Sequence, residues 1–352
     1  MRNKTEKSSA MNDLNVSNRK YELIFLLLLI LLICITLFSF CIGRYSVQVS
    51  DVIKILLSKI FPITKTWDIK TESVILVMRM PRIIASLLVG SALALSGATY
   101  QGVFKNPLVA PDMLGVSSGA CIGASLAILM NLGNGYIQVG AFLGGLIAVS
   151  ITTTIPKLLK NTSALMLVLS GVIVGGLMTS IMGIIKYLAD PETQLAEITY
   201  WQMGSLTKVM QKDIISILPT ILITTIIVML LRYRINVISL GENEAKSLGI
   251  NVGFTRGIII LCSTILTASS VCICGTIGWI GLVIPHLGRM LVGPNNVKLL
   301  PITFILGAIF MLLVDTVARV LTSAELPLSI LTGIIGAPFY FYLLIKQRTR
   351  LS

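Results

Sequence analysis

The side chains able to do acid–base, nucleophilic or metal chemistry in this chain are few and scattered. A single histidine, His286, lies within Ile284-Pro-His-Leu-Gly-Arg289. A catalytic or metal-binding imidazole needs converging acids, thiols or further imidazoles. None lies near it in sequence, so His286 reads as a packed or hydrogen-bonded helix residue. The six cysteines, at 34, 41, 121, 262, 272 and 274, fall almost entirely in apolar runs, and Cys272-Ile-Cys274 lacks the two-residue spacer of a redox or zinc pair. They read as small buried hydrophobes, with no metal site. No Gly-Lys-Ser/Thr phosphate loop occurs, so ATP is not bound by that route. Apart from Arg82 and Arg319 near the ends of their runs, charge inside the apolar runs amounts to Lys186, Arg289 and Asp315, few for a proton relay. A membrane enzyme is excluded by this inventory. An ion-coupled secondary transporter is disfavoured, because it would place buried carboxylates near mid-membrane.

The elements that carry these residues are apolar. Of 352 residues 55% are hydrophobic and only 12% charged, with mean hydropathy +0.91, against about 25% charged in soluble domains. Apolar runs fall near 23–42, 82–104, 113–130, 136–155, 164–188, 214–231, 257–274, 277–292, 300–321 and 328–345. Runs of about 20 residues cross a hydrocarbon layer, so the expected fold is an all-α polytopic membrane protein of ten transmembrane helices. Several runs are short and rich in Gly, as in LVGSALALSGA and LGGLIAV, which suits helices packed closely on other helices. The first run is too long for a signal-peptide core and lacks a cleavage site, so it reads as an uncleaved span.

Net charge is +13, spread between the apolar runs rather than clustered on one soluble face. That distribution argues against nucleic acid and for topology signal and membrane lipid contact. Both ends are basic, which places a tail at 1–22 and a tail at 347–352 in the cytoplasm, with the membrane domain over 23–346. The loop 43–81 would then lie outside while carrying Arg44, Lys54, Lys59, Lys65, Lys70 and Arg79. Within it, apolar residues at 52, 53, 56, 57 and 60 follow Ser50 and Asp51, the pattern of an interfacial amphipathic helix. The connection 190–213 is a second external loop, with Tyr200 and Trp201 as interface anchors.

One stretch departs from this pattern. SLGENEAKSLGI, 239–250, predicts a short helix with a capping box from Ser239 and Glu242, an i,i+4 pair between Glu242 and Lys246, and a stop at Gly249. At about 15 Å it is half the length of a span. It therefore lies at the cytoplasmic surface over 239–249, with Leu240, Gly241, Ala245 and Leu248 roughly on one side.

Arg79-Met-Pro-Arg82, LLVGSALALSGATYQGVFKNPLVAPDMLGVSSGA, SLGENEAKSLGINVG, GTIGWIGLVIPHLGRMLVGP, LLVDTVARV and AELPLSILTGIIGAPFYFYLL together resemble the FecCD-type permeases, over about residues 79–346. These are membrane subunits of type II ABC importers for iron-siderophores, haem and cobalamin. The resemblance implies ten helices, a second permease subunit (an identical copy or a homologue), two ATPase subunits and an external substrate-binding lipoprotein. It also implies the plasma membrane of a bacterium, with ATP and Mg held by the ATPase and no cofactor on this chain. Ferric siderophore is the expected substrate, with haem and cobalamin as alternatives.

Residue by residue, the resemblance makes Ser239, Leu240, Gly241, Glu242, Ala245, Leu248 and Gly249 the helix that seats in the ATPase. Arg79, Arg82 and Arg319 match external arginines that meet acidic residues of the binding protein. By its own spacing Arg319 can equally snorkel or pair with Asp315 one turn below. Thr162 and Ser163 resemble the family's inner gate and are equally plain helix caps. Asn106-Pro-Leu108 and the run 111–119 are structural, with Pro107 and Pro111 forcing the turn.

Overall fold

The computed structural model describes residues 2–161, 163–322 and 325–348. Among them there is helix and connection, with no strand. In chain order the helices are α1 (Arg2–Cys41), α2 (Val49–Leu57), α3 (Ile69–Ser73), α4 (Met80–Phe104), α5 (Val116–Leu129), α6 (Asn134–Leu158), α7 (Ala164–Leu188), α8 (Gln194–Met203), α9 (Gln211–Leu240), α10 (Glu242–Ser247), α11 (Val252–Cys274), α12 (Ile280–Val292), α13 (Asn296–Leu321) and α14 (Leu328–Arg348).

Each of the ten expected spans has its helix. Seven, within α1, α3–α4, α6, α7, α9, α11 and α13, are long and apolar enough to cross a membrane. The other three, Val116–Leu129, Ile280–Val292 and Leu328–Tyr342, are shorter apolar helices. The first two are short because the chain breaks where it turns into them, whereas α14 runs on to Arg348. A 3₁₀ turn at Pro111–Leu114 and a left-handed Gly115 precede α5, and non-helical backbone from Gly275 to Trp279 precedes α12.

Close approach of backbones holds the bundle together. A β-carbon added at Gly90, Gly97 or Gly123 would overlap the carbonyl of Gly307, Gly281 or Gly140 respectively, on α13, α12 and α6. Without a hydrophobic driving force in lipid, such contacts and interhelical hydrogen bonds are what associates helices. Ser96 of α4 supplies one kind, donating to Ser263 O at 2.9 Å on α11. In the most apolar window of α11 78% of residues are buried, against 17% in α1, so α11 is central and α1 peripheral.

Two regions differ from expectation. The helix α2 begins after Gln48, with no side-chain cap from Ser50 or Asp51. It seats Val52 and Ile55 against Phe40, Ile75, Ile83 and Leu312, so it is a lid on the bundle as well as an amphipathic surface helix. The connection 190–213 is mostly the helix α8, and Trp201 packs toward the core while Tyr200 stays exposed. Between α3 and α4 the chain widens into a π-helix at Val74–Arg79. Pro81 explains this: its ring excludes a regular bond to the preceding turn, and a one-residue expansion absorbs the mismatch.

Candidate functional site

Two groups of charged side chains lie at opposite ends of the bundle. At one, where α1 ends and α4 begins, Arg79, Arg82 and Arg319 converge as the sequence motifs suggested, but they point inward. Their exposures are 6%, 8% and 7%. Arg79 donates to the carbonyls of Phe40 and Tyr45, tying the end of α1 to the start of α4. Gly43 leaves room for that guanidinium, since a β-carbon there would crowd Arg79. Arg82 donates from Nε to Asp315 Oδ1 at 2.8 Å and from Nη1 to Glu325 Oε2 at 2.7 Å. Arg319 lies 3.3 Å from the other oxygen of Asp315, off the hydrogen-bond axis. Its Nη2 reaches Ser39 Oγ at 2.5 Å and Thr316 Oγ1 at 3.2 Å.

The three arginines expected at a docking surface are thus buried and paired within the chain. In this structure they are internal counter-charges. The physical reason is that guanidiniums within an apolar bundle carry a desolvation cost that only close acids and carbonyls offset. Of the two alternatives open for Arg319, the pairing with Asp315 is the one realised. Glu325 was not foreseen. It lies six residues beyond Arg319, a separation with no helical meaning, and only the fold brings it to Arg82. Its carboxyl group is pushed up by partial burial, but the Arg82 hydrogen bond and charge hold it below the ordinary range.

At the opposite end, the capping box expected from Ser239 does not form. Helix α9 runs on through Leu240, and Ser239 Oγ turns back to Asn236 O at 2.6 Å. The backbone breaks at Gly241, and α10 starts at Glu242. The carboxylate of Glu242 takes Arg256 of α11 as its hydrogen-bonded partner, with Lys246 acting only through longer-range charge. That hydrogen bond is the main reason the Glu242 carboxyl is held below its ordinary pKa.

Gly249 does end the helix. It has φ +78, its N–H bonds Lys246 O at 2.9 Å, and Ile250 N–H bonds Ala245 O at 3.0 Å, the paired contacts of a Schellman stop. Ala245 is fully buried, while Leu240 and Leu248 are 66% and 64% exposed. The residues expected on one side are thus divided: Ala245 is the anchor, and the two leucines face out.

Ser163 is the N-cap of α7 and accepts from Met166 N–H at 3.3 Å; Thr162 lies outside the described residues. Two further polar contacts join helices. Arg289 donates to Gln101 Oε1 at 2.6 Å, and Gln138 donates to Asp213 Oδ1 at 3.0 Å. His286 is half-buried on α12.

Ten apolar helices with glycine-to-backbone contacts, a buried charge cluster at one end and a short helix at the other define a polytopic membrane protein. The FecCD transport family matches residues 28–346, and the chain belongs to that family, as a permease of the ABC-transporter type. It is similar to the molybdate import system permease protein MolB of Haemophilus influenzae, 40% identical over 321 residues, covering 91% of this chain and 95% of that one. A probable iron chelatin transport system permease protein of Helicobacter pylori is 41% identical over 275 residues, 78% of this chain and 83% of that protein. A solved structure described as an inward-facing metal-chelate type ABC transporter matches with TM-score 0.82 and 39% identity, covering 92% of this chain and 99% of the other.

Proposed function

We propose that this permease forms, with a second permease chain, the path for an iron(III) chelate. In this reading a separate ATPase seats against α10 and a soluble substrate-binding lipoprotein docks at the arginine end. The observation that carries the ATPase contact is the construction of α10. A six-residue helix cannot persist alone, yet it is anchored by Ala245, by the Glu242–Arg256 ion pair and by a glycine stop. The same anchoring leaves Leu240 and Leu248 in the open. Exposed leucines on a braced, short element favour a protein partner. The α10 end then faces the cytoplasm, in keeping with the basic residues Lys157, Lys160, Arg232, Arg234 and Lys298 near that level.

Co-expression with an ATPase subunit and pull-down in detergent tests this. Substitution of Leu240 and Leu248 by Ser is expected to abolish association without lowering the thermal midpoint; retained association would overturn the assignment of α10. Ser163, and Thr162 beside it, are proposed to narrow the path near this end.

For the substrate, an iron chelate is supported by the likeness to the Helicobacter pylori protein and the metal-chelate transporter. A second reading, molybdate, is favoured by the longer match to the molybdate permease. Uptake of radiolabelled iron as ferric siderophore or haem, of labelled cobalamin and of labelled molybdate, by cells expressing the chain with its ATPase and carrier, separates them. Uptake of molybdate alone would replace the iron reading. Collapse of uptake by a protonophore while ATP stays high would instead indicate an ion-coupled transporter.

A further inference from the structure

The arginine cluster is closed from within, but unevenly. Asp315 is sealed at 0% exposure. Glu325 lies at the rim with 25% of its side chain accessible, in a left-handed backbone conformation at φ +54, which a non-glycine residue holds only where surrounding contacts impose it. Those contacts meet on one oxygen. Arg82 Nη1 donates to Glu325 Oε2 at 2.7 Å and Thr207 Oγ1 donates to the same atom at 3.0 Å. Arg44, which donates to Thr322 O at 3.2 Å, adds charge attraction. Beside Glu325 opens a cavity of about 590 Å³ that Ser205, Thr207, Lys208, Glu197 and Trp201 also line.

We propose that Glu325 is an internal latch on Arg82. It occupies the guanidinium edge that an acidic side chain of a docking protein would take, and docking is a carboxylate exchange in which Glu325 swings into the neighbouring cavity toward Thr207 and Lys208. The proposal rests on the reading that this end receives an acidic protein partner.

Three features carry it. Exchange keeps the buried Arg82 charge paired in both states, so neither state leaves an uncompensated cation. Thr207 already bonds Glu325, and Lys208, which pairs with Glu197 at 3.7 Å, lines the same cavity, so the released carboxylate has a donor and a cation beside that cavity. The segment that receives it is wired into the bundle: Ser205 N–H bonds Cys274 O at 2.7 Å and Leu328 N–H bonds Gly204 O at 2.9 Å. A displacement of Thr207 would therefore be felt at the ends of α8, α11 and α14. Asp315 has no such freedom, because its partners and its complete burial fix it.

The test uses the purified full chain in detergent and the arginine reagent phenylglyoxal, with modification of Arg82 and Arg319 followed separately by peptide mass spectrometry. Glu325→Gln keeps size and loses charge; Glu325→Ala removes the group. Both are expected to raise the modification rate of Arg82 about tenfold, the effect of freeing one charge-assisted hydrogen bond, with Arg319 unchanged. An unchanged Arg82 rate overturns the latch. A parallel rise at Arg319 overturns it too, since it marks a loosened cluster rather than a released residue. Hexaglutamate peptide serves as the acidic probe. Protection of Arg82 by the peptide, stronger in Glu325→Gln than in the unaltered chain, supports exchange. A faster Arg82 reaction with no protection by the peptide keeps the latch and overturns the docking reading beneath it.

Discussion

The two ends of this bundle are built on opposite plans. At the arginine end Arg79, Arg82 and Arg319 are folded inward onto acids and carbonyls, with Glu325 reaching the rim. At the α10 end two leucines face outward beside the exposed Glu244 and Lys246, and the half-exposed Glu242 braces the helix through Arg256. The difference follows from cost. A buried guanidinium must be paired or it destabilises the fold by several kcal/mol, whereas two exposed leucines on a surface helix cost little until a partner covers them. A charged docking surface therefore tends to be latched, and an apolar one can simply wait.

This contrast can be broken by mutation. The largest effect is expected from Asp315→Ala, which leaves Arg319 without a carboxylate and Arg82 with Glu325 only. A loss of about 3–5 kcal/mol, read as a lowered thermal midpoint in detergent, is the expected result. A midpoint within one degree of the unaltered protein would show that the arginine end is not an internal brace.

Next is Gly249→Ala at the other end. The φ of +78 is unfavourable for a β-carbon, so the helix stop should weaken by about 1 kcal/mol. The loss should be confined to α10 and visible as faster hydrogen exchange at the Ala245 and Leu248 amides. Exchange accelerating throughout the bundle would contradict a locally braced element.

A smaller effect is expected from pH. The Glu242 carboxyl is held below its unfolded value mainly by Arg256, so the pairing stabilises α10 above the ordinary glutamate pKa of about 4.3. That stabilisation is lost as pH falls through the lowered folded value. Glu242 is about half exposed, and solvent screening leaves well under 1 kcal/mol. Hydrogen exchange of α10 should quicken on acidification, beyond the intrinsic pH dependence of exchange, in the unaltered chain and not in Glu242→Gln. The smallest effect on stability belongs to Leu240→Ser and Leu248→Ser, within about 0.5 kcal/mol, although these are expected to remove ATPase association.

Much of the architecture was readable without coordinates because lipid imposes a one-dimensional rule: a run of apolar residues long enough to satisfy its own backbone becomes a span. Ten runs became ten helices. The glycines in LVGSALALSGA marked a tightly packed helix correctly, since a missing β-carbon is a property of the residue itself. Gly249 was likewise legible as a stop, because a left-handed residue at a helix end is a local requirement.

Ser163 caps α7 and Arg319 pairs with Asp315 as their spacing allows, but other polar side chains point where local pattern does not say. Ser239 fits a capping box by type and spacing, yet α9 continues past it because its buried face, Ile235 and Ile238, still has a bundle to pack on. Glu242 has Lys246 at helical spacing and takes Arg256 instead, fourteen residues on. Arg79, Arg82 and Arg319 could be grouped by their motifs, but a motif carries no burial, and Glu325 had no spacing signal at all. The sequence by itself determined the membrane class, the ten apolar helices and the place of the short helix, all set by local composition and length. Tertiary structure alone decided the charge pairings, because the partners of Arg82 lie 233 and 243 residues away along the chain and meet only after the apolar helices have packed.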